Sequence, residues 1–394
     1  MLPPPFPKSL TIDACEQFLL KLDKANGGAL LLPVGASSYA FGGLAAAIQA
    51  VNTWARKSGP RTLEFRHSEK GDDIEELLGK PHKFSAAMSA KHIAYSDAPI
   101  NDLRPVVYTA AKAAIEAQAR SNFGQQHGHL CWFAFVDHSS KGFDKNFYID
   151  GPTMKPEPRQ PAQFQAVIQA MIEKSLLVSG GAKALDRDNL DHLGRIFYEL
   201  FLNTHEHGTR GATRSEWLRP GVRVIYTQGI NLSAKGTEGF IKRQPVLSDY
   251  IKNLPGSAGQ RRFVEISIVD SGLGYSGRWL ADHHGDSSLT LPIEDEYRTF
   301  KQCFSFRQTS TSQDNKGNGL PVVMDRLTRL SAFMRIRSGR LSLYRDFVAA
   351  PYETNNTCTF SDWSTGELAE ENLTSMSPVA GVAITLLIPM EAKQ

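Results

Sequence analysis

The sequence predicts an α/β protein in two parts, a smaller α/β domain over residues 1–160 and a larger one over residues 161–394. Three observations carry this prediction. Apolar, strand-like runs alternate with stretches of helical spacing through the first part. Pro152, Pro156, Pro158 and Pro161 crowd the segment from Gly151 to Gln163, a density that breaks helices and marks a linker. Beyond it, an amphipathic helix, an apolar strand ending in glycines and a closing apolar strand form a second set. With 394 residues, 41% of them hydrophobic and 22% charged, the chain is long enough for two cores.

Residues 29–34 form a short buried strand, Gly42 to Ala55 has helical spacing, and Thr62 to Phe65 is a second strand. Leu103 to Arg120 is an alanine-rich amphipathic helix. Leu130 to Val136 is a strongly apolar strand, with Asp144 to Asp150 as its candidate hairpin partner. After the linker, Phe164 to Leu177 is helical and Gly180-Gly181 ends it. Asp188 to His207 is the next helix, with Asp186 or Asp188 as its cap. Phe263 to Val269 alternates as a strand. Between the two, Asn231 to Arg262 is polar and rich in Gly and Pro, and reads as an insertion or long loop. Phe333 to Arg337 and Gly381 to Ile388 are the last strands.

Several function classes are disfavoured. A net charge of +3 does not indicate a dedicated nucleic-acid or membrane-surface binder. Met1-Leu2-Pro3-Pro4-Pro5 has neither the basic nor the apolar region of a signal peptide. The uncharged stretch between Lys24 and Arg56 is interrupted by Pro33, Gly35, Gly42, Gly43 and Gln49, so it fits a strand, a turn and a helix better than a membrane span. The four cysteines stand singly, which fits reduced thiols in the cytoplasm. His127-x-His129, His205-x-His207 and His283-His284 lack further ligands at metal-site spacing.

Three pieces carry chemistry. Glu199, Asn203 and His207 recur at i, i+4 and i+8, so they share one helix face, while Leu193, Phe197, Leu200 and Phe201 face the core. A solvated face would show the same triplet. An Asn carbonyl, however, is a hard oxygen ligand suited to Mg²⁺, and a carboxylate one turn away can orient or deprotonate a water. The second piece is Asp270-Ser271-Gly272-Leu273-Gly274 at a strand end. Here Asp270 can accept from an exocyclic amine such as adenine N6, and Gly272 and Gly274 permit positive φ and close backbone approach. The third is Lys316-Gly317-Asn318-Gly319-Leu320, which opens into a helix whose free N–H groups suit phosphate, with Lys316 as an added cation.

In this order the pieces resemble the GHKL superfamily of gyrase B, the ninety-kilodalton heat-shock chaperones, histidine kinases and the MutL repair proteins. Glu199-x-x-x-Asn203 resembles its N-box, Asp270-x-Gly272-x-Gly274 its first glycine box, and Gly317-x-Gly319-Leu320 its second. The strand from Gly381 to Pro389 resembles the last strand of histidine-kinase ATPase domains, with Val382 where Thr is customary. The resemblance covers roughly residues 185–390. It implies a Bergerat-type α/β sandwich with helices on one face of a mixed sheet, Asn203 on Mg²⁺, Asp270 on adenine and a lid over residues 275–316. Glu199-x-x-x-Asn203-x-x-x-His207-Gly208 looks most like the anti-sigma-factor serine kinases. Tyr39 to Phe65 faintly resembles the STAS domains that partner them, although Ala40-Phe41-Gly42-Gly43 replaces the Asp-Ser-Ser-Gly turn.

No His-centred phosphoacceptor helix precedes the N-box, which disfavours a conventional sensor histidine kinase. His207 lies on the expected phosphate face, and Arg307, Thr309, Ser310 and Thr311 fall in the expected lid. Arg210, Arg214 and Arg219 make a short basic cluster of the kind a solvated surface often carries. The expectation is therefore a cytoplasmic protein that binds ATP with Mg²⁺ and hydrolyses it slowly, with Glu199 as the base, and that couples lid closure to a protein partner or a homodimer. A serine/threonine protein kinase and a nucleotide sensor without turnover are the alternatives.

Overall fold

A computed structural model describes residues 5–25, 28–33, 38–67, 71–120, 123–139, 143–149, 156–176, 186–255, 260–287, 290–305, 319–353 and 358–390. The chain opens with β1 (Ser9–Leu10), α1 (Ile12–Ala25), β2 (Leu30–Leu32), β3 (Ser38–Tyr39), α2 (Gly43–Arg56), β4 (Thr62–Phe65), α3 (Asp73–Leu78), α4 (Pro81–Ser89), β5 (His92–Tyr95) and α5 (Arg104–Ala119). It continues with β6 (Gln125–His127), β7 (Leu130–Val136), β8 (Tyr148–Ile149), β9 (Glu157–Pro158), α6 (Pro161–Leu176), α7 (Arg187–His207), β10 (Val222–Ser233), α8 (Ala234–Arg243), α9 (Leu247–Asn253) and β11 (Gln260–Val269). Last come α10 (Gly274–His284), α11 (Ile293–Gln302), α12 (Gly319–Arg329), β12 (Phe333–Gly339), β13 (Leu341–Asp346), β14 (Ser361–Asp362) and β15 (Val379–Pro389).

The protein is mixed α/β, with parallel and antiparallel strands in separate sheets. β2, β4 and β5 form a small parallel sheet in the order β2-β4-β5. The main sheet has eight strands in the order β14-β13-β12-β15-β11-β10-β7-β6. Every neighbouring pair in it is antiparallel. The mixed sheet expected for the C-terminal part is thus corrected. Among the described residues, the parallel pairing implied by βα alternation occurs in the small N-terminal sheet and in the β1–β3 pair.

Helices cover both faces of the main sheet, where one was expected. Cys131, Phe133 and Phe135 of β7 pack with Val264, Ile266 and Ile268 of β11 under α6, α7 and α12. The alternate residues Trp132, Ala134 and Val136 pack with Val224 and Tyr226 under α1, α2 and α4. A strand buried on both faces has no polar side, which is why Leu130–Val136 is apolar throughout. Near the ends of β11, β12 and β15, Phe263, Phe333 and Leu387 are covered by Leu247, Tyr250 and Ile251 of α9 together with Phe41.

Other expectations shift as well. β7 pairs with β10, so the main sheet crosses the boundary expected at residue 160. The hairpin partner of β7 is β6, while Tyr148–Ile149 pairs with Glu157–Pro158. The insertion expected near 231–262 holds the end of β10, two helices and the start of β11. Within the expected lid at 275–316, α10 and α11 are regular helices, and residues 306–318 lie outside the described residues. Among the described residues no helix is long and apolar enough to cross a membrane.

Candidate functional site

α7 supplies the first side of the site. Asp186 caps it, its carboxylate accepting from the Asn189 backbone N–H at 2.7 Å. Leu193, Ile196, Phe197, Leu200 and Phe201 are buried in the layer between helices and sheet. Glu199, Asn203 and His207 therefore share a different face, as their spacing requires.

The C-terminal end of α7 meets the turn after β11 with no room for side chains. A Cβ on Gly208 would lie 2.5 Å from the Thr204 carbonyl oxygen and 2.8 Å from Asp270 Cβ. A Cβ on Gly272 would lie 2.7 Å from the His207 carbonyl oxygen. Both contacts are closer than any real Cβ tolerates, so glycine is required on each side. Gly274 has a positive φ of 74°, whereas Gly272 is needed for contact rather than for φ.

Asp270 is buried, 6% exposed. Its Oδ1 accepts from the Gly272 N–H at 2.9 Å and the Val382 N–H at 3.2 Å. Asp270 N–H in turn donates to the Val382 carbonyl at 3.0 Å, and Gly381 N–H to the Gly272 carbonyl at 2.8 Å. The turn is thus pinned to the start of β15. Both amides satisfy the same carboxylate oxygen, and the described residues give Oδ2 no hydrogen bond. Burial pushes the carboxyl pKa up to about 7, and the two backbone N–H groups pull the other way.

Two turns toward the helix N-terminus, Glu199 is mostly buried, with its Oε1 2.5 Å from Arg195 Nη2. Burial raises its pKa while Arg195 lowers it. A Cβ on Gly319 would lie 2.6 Å from Glu199 Oε2, so the carboxylate sits against the first residue of α12. Leu320 is buried in the layer α7 shares with α12. Farther along, Arg326 Nη1 lies 2.6 Å from His192 Nδ1, so the two helices run antiparallel. Lys316 and Gly317 lie outside the described residues, as do Arg307, Thr309, Ser310 and Thr311.

Asn203 lies one turn from Glu199 and one from His207. Its Nδ2 is buried without a hydrogen-bond partner among the described residues. An orphaned buried donor costs on the order of 1–3 kcal/mol, which a bound water or ligand would recover. His207 lies at the Asp270 end of that face, its carbonyl against Gly272. Its Nδ1 faces Arg214 Nη1 at 3.4 Å, and burial together with Arg214 pushes its pKa down to about 4. Its ring is therefore neutral near pH 7 and adds no positive charge. Among the described residues no group of three or more His, Cys, Asp or Glu side chains could hold a metal ion.

Sequence reasoning missed the network that seats α7 on the sheet. Arg223 of β10 donates through Nε and Nη2 to Asp137 at 2.8 and 2.7 Å, and also reaches Thr204 Oγ1 and Tyr148 Oη. The available signal was a single charge inside the apolar run Val222-Arg223-Val224-Ile225, beside an aspartate that directly follows β7. A separate cavity of about 280 Å³ lies at the other end of α7, between Asp186, Leu254, Arg261, Arg329 and Pro389, and shares no residue with this site. No family model, curated protein or solved structure matches the chain.

Proposed function

We propose that the chain binds Mg·ATP in a Bergerat-type pocket along α7 and hydrolyses it slowly, in the cytoplasm, coupling the nucleotide state to a protein partner or a second copy. The observation that carries this reading is convergence along one helix. Asp270 meets the end of α7 at Gly208, and the N-terminus of α12 meets it at Glu199. Glu199 and His207 are eight residues apart, which is about 12 Å of helix rise. A nucleoside triphosphate spans such a length, with its base at Asp270 and its phosphates toward α12.

The residue roles follow from chemistry. Asp270 Oδ2 accepts from the exocyclic amine of adenine. The side-chain carbonyl oxygen of Asn203 is the group that would hold Mg²⁺, whose charge would offset that of the phosphates. The N–H groups at Gly319 and Leu320 face phosphate, with Gly317 and Lys316 preceding them. Glu199 orients the attacking water and accepts its proton. The Arg195 contact opposes the upward push of burial on that carboxyl but occupies one of its oxygens, which favours slow turnover and gives weight to a non-hydrolysing sensor as the second reading.

Glu199→Ala tests the chemistry. Lost hydrolysis with retained ATP binding supports the ATPase. Wild-type protein that binds ATP but releases no phosphate supports the sensor. Transfer of labelled phosphate to a co-purified protein supports a serine/threonine kinase using the same pocket.

A further inference from the structure

One helix outside the proposed pocket grips the loop that would read the base. Gln49, Asn52, Thr53 and Arg56 fall at i, i+3, i+4 and i+7 on α2, a single stripe. Gln49, Asn52 and Thr53 are buried, at 1%, 1% and 4% exposure. Asn52 Nδ2 donates to the Asp270 carbonyl at 3.1 Å. Arg56 donates through Nη2 and Nε to the Ser271 carbonyl at 2.7 and 3.1 Å. Thr53 Oγ1 accepts from the Ala380 N–H at 3.0 Å, and Gln49 Nε2 donates to the Arg337 carbonyl at 3.0 Å.

These partners are all backbone groups, and they lie in or beside the two segments that pin Asp270. The turn carrying Asp270 and Ser271 is held by Gly381-Val382 on one side and by α2 on the other. Rotation of either peptide would swing the Asp270 carboxylate, because its Oδ1 is tied to the same turn through Gly272. The rest of α2 packs in the core that the N-terminal elements share with one face of the main sheet: Ile48, Val51 and Ala55 lie there with Leu30 and Leu63, and Trp54 Nε1 donates to the Gly28 carbonyl at 2.8 Å. One helix therefore joins the N-terminal region to the base-reading turn.

We infer that the α2 stripe positions Asp270, so that the N-terminal region sets nucleotide affinity and base selectivity at the C-terminal site. Asn52 and Arg56 are positioning residues that contact no nucleotide. The inference rests on the ATP-binding reading above. Coupling of this kind is reciprocal in binding free energy, so ATP binding must also tighten α2.

Two measurements on the full chain test it. The first compares dissociation constants for Mg·ATP and Mg·GTP in wild type, Asn52→Leu and Arg56→Gln. Each variant is expected to bind ATP at least about tenfold more weakly, the equivalent of roughly 1.4 kcal/mol, and to lose a similar factor of preference for ATP over GTP. Partial misfolding cannot imitate this, because the inactive fraction cancels in the ATP-to-GTP ratio. The second measurement needs no variant. Amide hydrogen exchange of wild type over residues 43–56 is expected to slow at least about threefold on saturation with Mg·ATP. Folded variants with wild-type selectivity, or unchanged exchange in 43–56 while residues 270–274 become protected, would overturn the inference and leave the ATP reading standing. Wild type without ATP affinity would remove the reading beneath it.

Discussion

Replacing Asp270 with Asn turns a geometric detail into a test of base recognition. Asp270 Oδ1 is held by two backbone N–H donors at 2.9 and 3.2 Å. In Asp270→Asn the amide oxygen must keep that place, which directs the NH₂ to the position of Oδ2. Adenine presents an amine there, so an attractive contact becomes donor against donor. A hydrogen bond to a charged group contributes about 1.5–3 kcal/mol, and an unpaired buried donor costs a further 1–3 kcal/mol or so. Taking about 3 kcal/mol in all, ATP affinity falls on the order of a hundredfold. Guanine presents a carbonyl at the same position and accepts from the new NH₂, so GTP should lose much less or gain. Isothermal titration at pH 8, above the raised pKa near 7, compares the two nucleotides with the wild-type carboxylate ionised. The substitution should not harm folding, because burial already favours the neutral form of this group. ATP affinity within twofold of wild type, or parallel losses of ATP and GTP, would rule out a base contact at Asp270.

Further outcomes follow from the same contacts. Gly208→Ala forces a Cβ to within 2.5 Å of the Thr204 carbonyl and should cost roughly 1–3 kcal/mol in urea denaturation, with weakened ATP binding. Asp137→Asn leaves the buried Arg223 without its counter-charge and should lower the unfolding free energy by about 3–5 kcal/mol, whereas an exposed pair such as Arg329 with Asp325 should be close to neutral. Asp270 and Glu265 both have pKa values raised to about 7, mainly by burial. Their folded forms hold protons more tightly than the unfolded chain, so their stabilising contribution is complete below about pH 4 and is lost as pH rises through 7. The urea midpoint of the nucleotide-free protein should show this decline, and it should flatten in the double variant Asp270→Asn, Glu265→Gln. ATP affinity should move the opposite way, rising with pH across 7 in wild type but not in Asp270→Asn.

Much of this site was legible in the sequence because it depends on local spacing. The i, i+4, i+8 pattern put Glu199, Asn203 and His207 on one face, Asp186 announced the start of α7, and an apolar strand ran visibly into Asp270. The rest depends on pairing across long stretches of chain. Nothing local tells Leu130–Val136 that its partner is β10, and the same apolar run serves equally in a parallel or an antiparallel sheet. Nothing local marks the polar stripe of α2 for its partners: Asn52 and Arg56 bond to residues more than 200 positions away. α8 and α9 were hidden by Gly236, Gly239 and Pro245, which mark turns in isolation and are overridden here by packing of Phe240, Leu247 and Tyr250. For His207, spacing fixed the direction around the helix but not which neighbour waits at that turn, which is Gly272 and Arg214.

In the function proposed above, α7, the Asp270 turn and the start of α12 together form one Mg·ATP site. The most direct measurement is calorimetric titration of ATP into wild type and Asn203→Ala, each with Mg²⁺ and with EDTA. Wild type is expected to bind one ATP per chain saturably and more tightly with Mg²⁺, and Asn203→Ala is expected to lose that strengthening. Absence of saturable binding by wild type at millimolar ATP with Mg²⁺ present would contradict the proposed site.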